Sequence, residues 1–321
     1  MRKTLVLGLV LAASAAVSAP VAPAGLSLAE YPRVDSSTST HLLVALMLGR
    51  CLGLDGTLAR LAPTESNQVR ESAVLVFPLD TPIARLTAMA TNYEKADSRG
   101  THEAYANLIA GRTDVALVAR GPSADELAEA ARERVELDAR PVALDALVFI
   151  VNRENPIAGL TKAQIISIYS GGTALWREVG GPDWPLKAIG REANSGSQEL
   201  FDSLVLHGRS MVLGPERLIR TMAGTVDAVA KDRTALAYSV YFYDRVMLAG
   251  DDRAIAVDGV VPTAQTIADG SYPLSSPVQV VIRRDAKPGS GAVRLRDWLL
   301  SAPGQQLIRD SGYVPLSKPA P

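Results

Sequence analysis

A single cysteine, Cys51, leaves no partner for an intramolecular disulfide. It sits in the apolar stretch from His41 to Leu54, a setting that predicts an inert buried thiol rather than a nucleophile. Histidine is also scarce: His41, His102 and His207 are far apart and lack metal-ligand spacing, which argues against a zinc site. Four Phe, nine Tyr and three Trp are spread thinly, so no aromatic stacking platform is legible. Neither charge sign is in excess, since Lys+Arg 33 against Asp+Glu 34 gives a net charge of −1. The chain has no field to attract a polyanion, which disfavours a nucleic-acid binder, and any charged ligand must be held by a local site. The G-x-S-x-G elbow of serine hydrolases is absent.

Apolar residues make up 47% of the chain and charged residues 21%, an ordinary globular composition, and 321 residues suffice for one large domain or two modest ones. Met1-Arg2-Lys3 precedes an apolar run from Leu5 to Ala16, and Ala22-Pro23-Ala24 supplies an A-x-A pattern before Gly25. This is the layout of a secretory signal peptide over residues 1–24, with an apolar run too short to span a bilayer and no lipid-attachment cysteine after it. The expected product is a soluble, exported protein.

Beyond that segment, helical and strand-like patterns alternate, which predicts an α/β fold. Helices are expected over 42–54, 101–110, 123–135, 160–169, 198–206, 293–300 and 305–311. Strands are expected over 72–77, 115–119, 144–151, 234–240 and 277–283. Ser123-Ala124-Asp125-Glu126 reads as an S-x-x-E capping box. Two lobes suit this length better than one, because a continuous core rarely grows much beyond 250 residues.

Three loops place Ser, Thr or Gly directly at an expected helix start: Thr38-Ser39-Thr40, Thr101, and Ser195-Gly196-Ser197. A helix start carries unpartnered backbone N–H groups and a partial positive charge, hydroxyls there donate to an anion, and glycine lets a ligand approach the backbone. Arg191, four residues before Ser195, adds a planar fork of donors suited to a tetrahedral oxyanion. Each piece also has a plain structural reading, the caps as ordinary N-caps and the arginine as a surface residue. Spacing alone does not bring the three loops to one point.

The run Arg191-Glu192-Ala193-Asn194-Ser195-Gly196-Ser197-Gln198 resembles the phosphate-binding proteins of bacterial phosphate ABC transporters. The resemblance extends along most of the chain after residue 24. Val34 to Thr40 is similar to that family's first Gly/Ser/Thr loop, with Ser36 in place of its usual glycine. Thr101 to Gly111 and Asp114 to Leu117 are similar to its second helix-start loop and following strand. Asn152 to Pro156, Leu160 to Tyr169, Trp176 to Gly181, Gly270 to Leu274, Gly304 to Gln306 and Ser311 to Leu316 are similar to its middle and closing segments.

The resemblance implies a two-lobed type II periplasmic-binding-protein fold of the α/β class, with a ligand cleft between the lobes. Residues 25–143 plus 273–321 would form lobe I and 144–272 lobe II. Inorganic phosphate would be held by Thr38, Ser39, Thr40 and Thr101 from lobe I and by Arg191, Ser195, Gly196 and Ser197 from lobe II. No cofactor, metal or nucleic acid is implied, and a monomer would deliver its ligand to an inner-membrane ABC permease from the periplasm. One departure concerns the loop Val118-Ala119-Arg120-Gly121-Pro122, where the resemblance sets Ala119 against an aspartate that accepts the proton of hydrogen phosphate. Asp35, Asp97 or Glu192 could replace that acceptor, and Arg120 either brings positive charge to the site or points to solvent. Two other uses of the fold stay open: sensing, adhesion or surface assembly, and a secreted phosphatase, for which His102 is the histidine near the expected cleft.

Overall fold

The alternation of apolar runs and polar turns becomes a mixed α/β structure. The computed structural model describes residues 25–316 except 55, 62–70, 78–80, 94–99 and 250, so the expected export segment at residues 1–24 lies outside the described residues. β1 (Val34–Ser36) leads through a hydroxyl-rich turn into α1 (His41–Cys51), whose residues Leu42 to Gly49 are all buried. A helix apolar on every side belongs inside a core. β2 (Thr57–Leu61) and β3 (Glu71–Val76) pair antiparallel, followed by α2 (Ile83–Tyr93), α3 (Thr101–Ile109), β4 (Val115–Val118) and α4 (Ala124–Arg132). The expected capping box is formed: Glu126 N donates to Ser123 Oγ, and Ser123 N donates to the Glu126 carboxylate.

β5 (Leu137–Asn152) begins seven residues earlier than its apolar run suggests. Pro141 and the charged residues around it hide the extension. The strand accommodates that proline at a register shift opposite Val278 and Gln279, where a bulge removes the need for its missing N–H. The chain continues through β6 (Gly159–Leu160), α5 (Lys162–Tyr169), β7 (Lys187–Ala188), β8 (Gly190–Arg191) and α6 (Gly196–Phe201), which runs on into a π-helical turn at Asp202–Leu206. β9 (Leu218–Ile219), α7 (Met222–Lys231), β10 (Ala235–Val240), β11 (Leu248–Ala249), β12 (Asp252–Ala254), β13 (Ala256–Val257) and α8 (Ala264–Ala268) come next. β14 (Ser275–Arg283), α9 (Gly291–Leu300), α10 (Ala302–Asp310) and β15 (Val314–Pro315) close the chain. β2, α2, α7, α8 and the short strands β1, β6, β9, β11, β12, β13 and β15 had no counterpart among the expected elements.

The main sheet has the order β1-β4-β14-β5-β10-β7, with β12 and β15 also on β5. β5 serves two neighbourhoods, its first part pairing with β14 and its last residues with β10. The cores divide along the same strand. Ala146 to Val151 belong to a core that includes Phe149, Tyr169, Trp176, Phe201 and Tyr238. Val142 and Ala143 belong to a second core with α1, β14, α9 and α10 residues. The chain crosses again after Val240, since Phe242 lies in the second core and β11 pairs with β3 before β12 returns to β5. Tyr272 and Leu274 pack in the first core, Val278 and Val280 in the second.

Asp145 stands where β5 passes from one core to the other, fully buried. Its Oδ1 accepts from Ala146 N at 2.8 Å and Phe242 N at 2.9 Å, while Oδ2 has no hydrogen-bond partner among the described residues. Burial pushes the carboxyl up to about 7 against those two hydrogen bonds. The folded state therefore favours the protonated acid. Its stabilising contribution is complete below the ordinary carboxylate range and is lost as pH rises through about 7. Asp145→Asn keeps an acceptor for both N–H groups and removes the titration. In urea unfolding the variant should gain on wild type between pH 5 and pH 8, by up to about 3 kcal/mol.

Candidate functional site

Arg191 is the arginine of β8, and it is buried. β8 runs parallel to β9, with Arg191 opposite Ile219. That pairing lays the guanidinium along carbonyl groups: Nε donates to Ile219 O at 2.9 Å and Nη2 to Arg220 O at 2.9 Å. Arg191 N donates to the Tyr238 hydroxyl at 2.8 Å, and that hydroxyl in turn donates to Gln198 Oε1. Tyr238 is fixed by the aromatic cluster beneath it, stacking on Phe201 at 4.7 Å and meeting Phe149 and Tyr169 at 6.2 and 5.7 Å. The first core thus sets the position of the cation.

All these partners are neutral. Among the described residues no carboxylate pairs with Arg191, and Glu192 instead faces Arg220 at 3.5 Å. Burial pulls the guanidinium down from its ordinary value, but an arginine stays charged in a protein. The result is a buried positive charge held in place without being neutralised, a costly arrangement that an anion offsets.

The charge opens on a cleft of about 410 Å³. The cleft is lined by Thr38, Ser39, Thr101, Arg191, Ser195, Gly196 and Ser197, and also by Ser37, Ala119, Glu192, Thr221 and Tyr243. Seven of the eight residues expected to hold a ligand therefore face one space. Thr40 does not: its hydroxyl donates to Leu117 O at 2.6 Å and meets Ser37 Oγ at 2.9 Å, which ties the loop after β1 to β4. Thr40 precedes α1 without a side-chain cap, so its hydroxyl serves the sheet rather than the helix start.

The other loops keep local jobs as well. Ser195 Oγ accepts from Gln198 N at 3.2 Å as the N-cap of α6, which leaves its own O–H free to donate. Ser197 Oγ lies 3.5 Å from Arg191 Nη1. Gly100, with φ +148°, precedes Thr101 at the start of α3 in a conformation suited to glycine. Gly196 matters for space rather than for φ. A Cβ there would stand 2.6 Å from Thr101 Oγ1, so the α6 and α3 starts approach closely only because residue 196 lacks a side chain.

The alternatives at the altered loop resolve differently from either expectation. Ala119 lines the cleft. Arg120 neither lines it nor faces solvent: it is buried against Glu126 and Glu199, each at 2.8 Å. Of the acceptor candidates, Asp35 is buried off the cleft and accepts from Asn107 Nδ2 at 2.6 Å, Glu192 lines the cleft, and Asp97 lies outside the described residues. His102 is absent from the lining and meets Glu126 Oε1 at 3.2 Å. Cys51 is half-buried, donates to Leu26 O at 3.1 Å, and is pushed up to about 11 by burial, the inert thiol its surroundings predict.

Thr221 and Tyr243 are among the lining residues that escaped sequence reasoning. Thr221 is the N-cap of α7, accepting from Gly224 N at 3.0 Å, the same signal that singled out the other loops. Tyr243 follows β10 with nothing in the sequence to mark it, and burial pushes its hydroxyl up.

A family model described as a PBP superfamily domain matches residues 79–303. The chain belongs to the PBP superfamily. Among PBP-like relatives, the phosphate-binding protein PstS of Staphylococcus saprophyticus is 27% identical over 297 residues, covering 87% of this chain and 89% of that one. A substrate-binding protein from Clostridium perfringens, solved with bound phosphate, superposes with a TM-score of 0.61 at 20% identity, over 88% of this chain and all of that one. An ABC-type phosphate transport receptor from Vibrio cholerae gives a TM-score of 0.56 at 24% identity, over 73% and 96%. The mixed α/β architecture with its central sheet is therefore the periplasmic-binding-protein-like fold. Among the described residues no helix is long and apolar enough to cross a membrane.

The set around Arg191 supplies hydrogen-bond donation to an anion, and its rigidity rests on Tyr238. Tyr238→Phe leaves Arg191 N and Gln198 Oε1 without their partner, so a loss of about 2–3 kcal/mol is expected in urea unfolding.

Proposed function

We propose that this protein is the phosphate receptor of an ABC importer, capturing inorganic phosphate in the cleft beside Arg191. The observation that carries the reading is the buried, unneutralised guanidinium facing hydroxyls from elements of both cores. The relatives and solved neighbours named for phosphate binding support the choice of anion. Thr38, Ser39 and Thr101 donate from one side, and Arg191, Ser195, Ser197 and the Gly196 backbone from the other. Residues 25–143 and 273–321 make up one lobe and 144–272 the other, apart from the excursion at 242–249. Closure of both lobes on one ligand would exclude water and strengthen every charge-assisted bond.

On this reading the protein binds without turnover, works as a monomer in the periplasm, and hands its ligand to a membrane permease. Titration calorimetry of protein unfolded and refolded to strip ligand, with phosphate and then sulfate near neutral pH, tests it directly. Phosphate is expected to bind tightly. Arg191→Ala should weaken phosphate by at least about 100-fold, the scale of a buried charge-assisted contact; a variant that binds as tightly as wild type refutes the site. Gly196→Ala should weaken phosphate about tenfold or more, because the added methyl meets Thr101 Oγ1.

A further inference from the structure

Arg120 is held on its own side of the cleft by more than one device. Nη1 and Nη2 each donate to a different oxygen of Glu126, both at 2.8 Å, and Nη1 also donates to Gly121 O at 2.7 Å. The Tyr105 ring lies 5.6 Å from the guanidinium carbon, and the Tyr105 hydroxyl donates to Arg120 O at 3.0 Å. Glu126 is fully buried and also caps α4. All of these groups belong to α3, α4 and the loop between β4 and α4. One further contact leaves that group: Nη2 meets Glu199 Oε2 at 2.8 Å.

Glu199 belongs to α6, whose next residues Leu200 and Phe201 are anchored in the first core. It is one turn along from Gly196, which abuts Thr101, and two residues past Ser197, which lines the cleft. The first turn of α6 thus lies close against Thr101 at one end and is ion-paired to Arg120 at the other, with the cleft-lining Ser197 between. Burial pushes the Glu199 carboxyl up while Arg120 holds it down.

We propose that the Arg120–Glu199 ion pair is a closing latch, and that Glu199 is a positioning residue which holds the α6 turn over the bound anion. Arg120 is preset by Glu126, so drawing Glu199 away leaves no unpaired buried cation; the arginine keeps its bidentate partner and Glu199 enters water. The contact therefore costs little to open and acts on ligand escape rather than on folding. The inference rests on the phosphate reading of the cleft.

The test compares wild type with Glu199→Gln by stopped-flow dissociation of inorganic phosphate, equilibrium titration and melting of the ligand-free protein. Phosphate is expected to leave the variant about tenfold faster with its association rate unchanged, since truncating a buried interfacial charge acts mainly on dissociation. The ligand-free melting temperature should hold to within about 1 °C, because Arg120 keeps its Glu126 partner and the released Glu199 side chain is hydrated. Unchanged dissociation overturns the latch. So does a ligand-free melting temperature that falls together with affinity, which marks a merely structural role. Should wild type fail to bind phosphate, the functional reading falls, and small-angle scattering of the ligand-free proteins decides the latch separately. A larger radius of gyration for Glu199→Gln supports it, and identical curves overturn it.

Discussion

A guanidinium removed from water and given only carbonyl and hydroxyl partners is the constraint around which this molecule is organised. Leaving Arg191 positively charged inside the protein is expensive, and the structure accepts that cost by bracing it from every direction. β9 supplies the carbonyls, Tyr238 fixes the backbone, and the aromatic cluster of Phe149, Tyr169 and Phe201 fixes Tyr238. A carboxylate in contact would have stabilised the resting protein and cancelled the attraction. Two arginines close to the cleft make the contrast plain: Arg120 is ion-paired with the carboxylates of Glu126 and Glu199, while Arg191 is held by carbonyl and hydroxyl groups alone.

What could be read from the sequence follows the range of the interactions involved. The capping box at Ser123, the apolar helix α1 and the strand β10 are set by residues within one or two turns, so pattern and composition reveal them. β5 was only half legible, because Pro141 reads as a break unless its irregular pairing with β14, more than 130 residues away, is known. The candidate loops at Thr38, Thr101 and Ser195 announced themselves by their hydroxyls, yet their meeting at one cleft is a tertiary fact. Thr40 shows the limit: the same residue type in the same loop turns its hydroxyl to Leu117 instead. Arg120 shows it again, since its two carboxylates come from α4 and from α6 and neither is adjacent in the chain.

The cleft also separates two roles of small residues. At Gly100 the backbone angle demands glycine, whereas at Gly196 the demand is for volume, because the neighbour across the gap is a threonine side chain. Sequence inspection registers both as glycines near helix starts; only the facing surface distinguishes a conformational requirement from a steric one.

The division of β5 between two neighbourhoods has a consequence for how the chain acquires its structure. β4 finds its antiparallel partner in β14, pairing Ala116 with Val281, and α1 packs with Leu295, Leu299 and Ile308. A chain delivered N-terminus first cannot complete that core until Ile308 has emerged, however long the earlier part waits. Local helices form at once, but the sheet that joins them must close a loop of more than 150 residues, a slow step governed by topology rather than by local propensity. The second core thus stays unfinished until α9 and α10 are present.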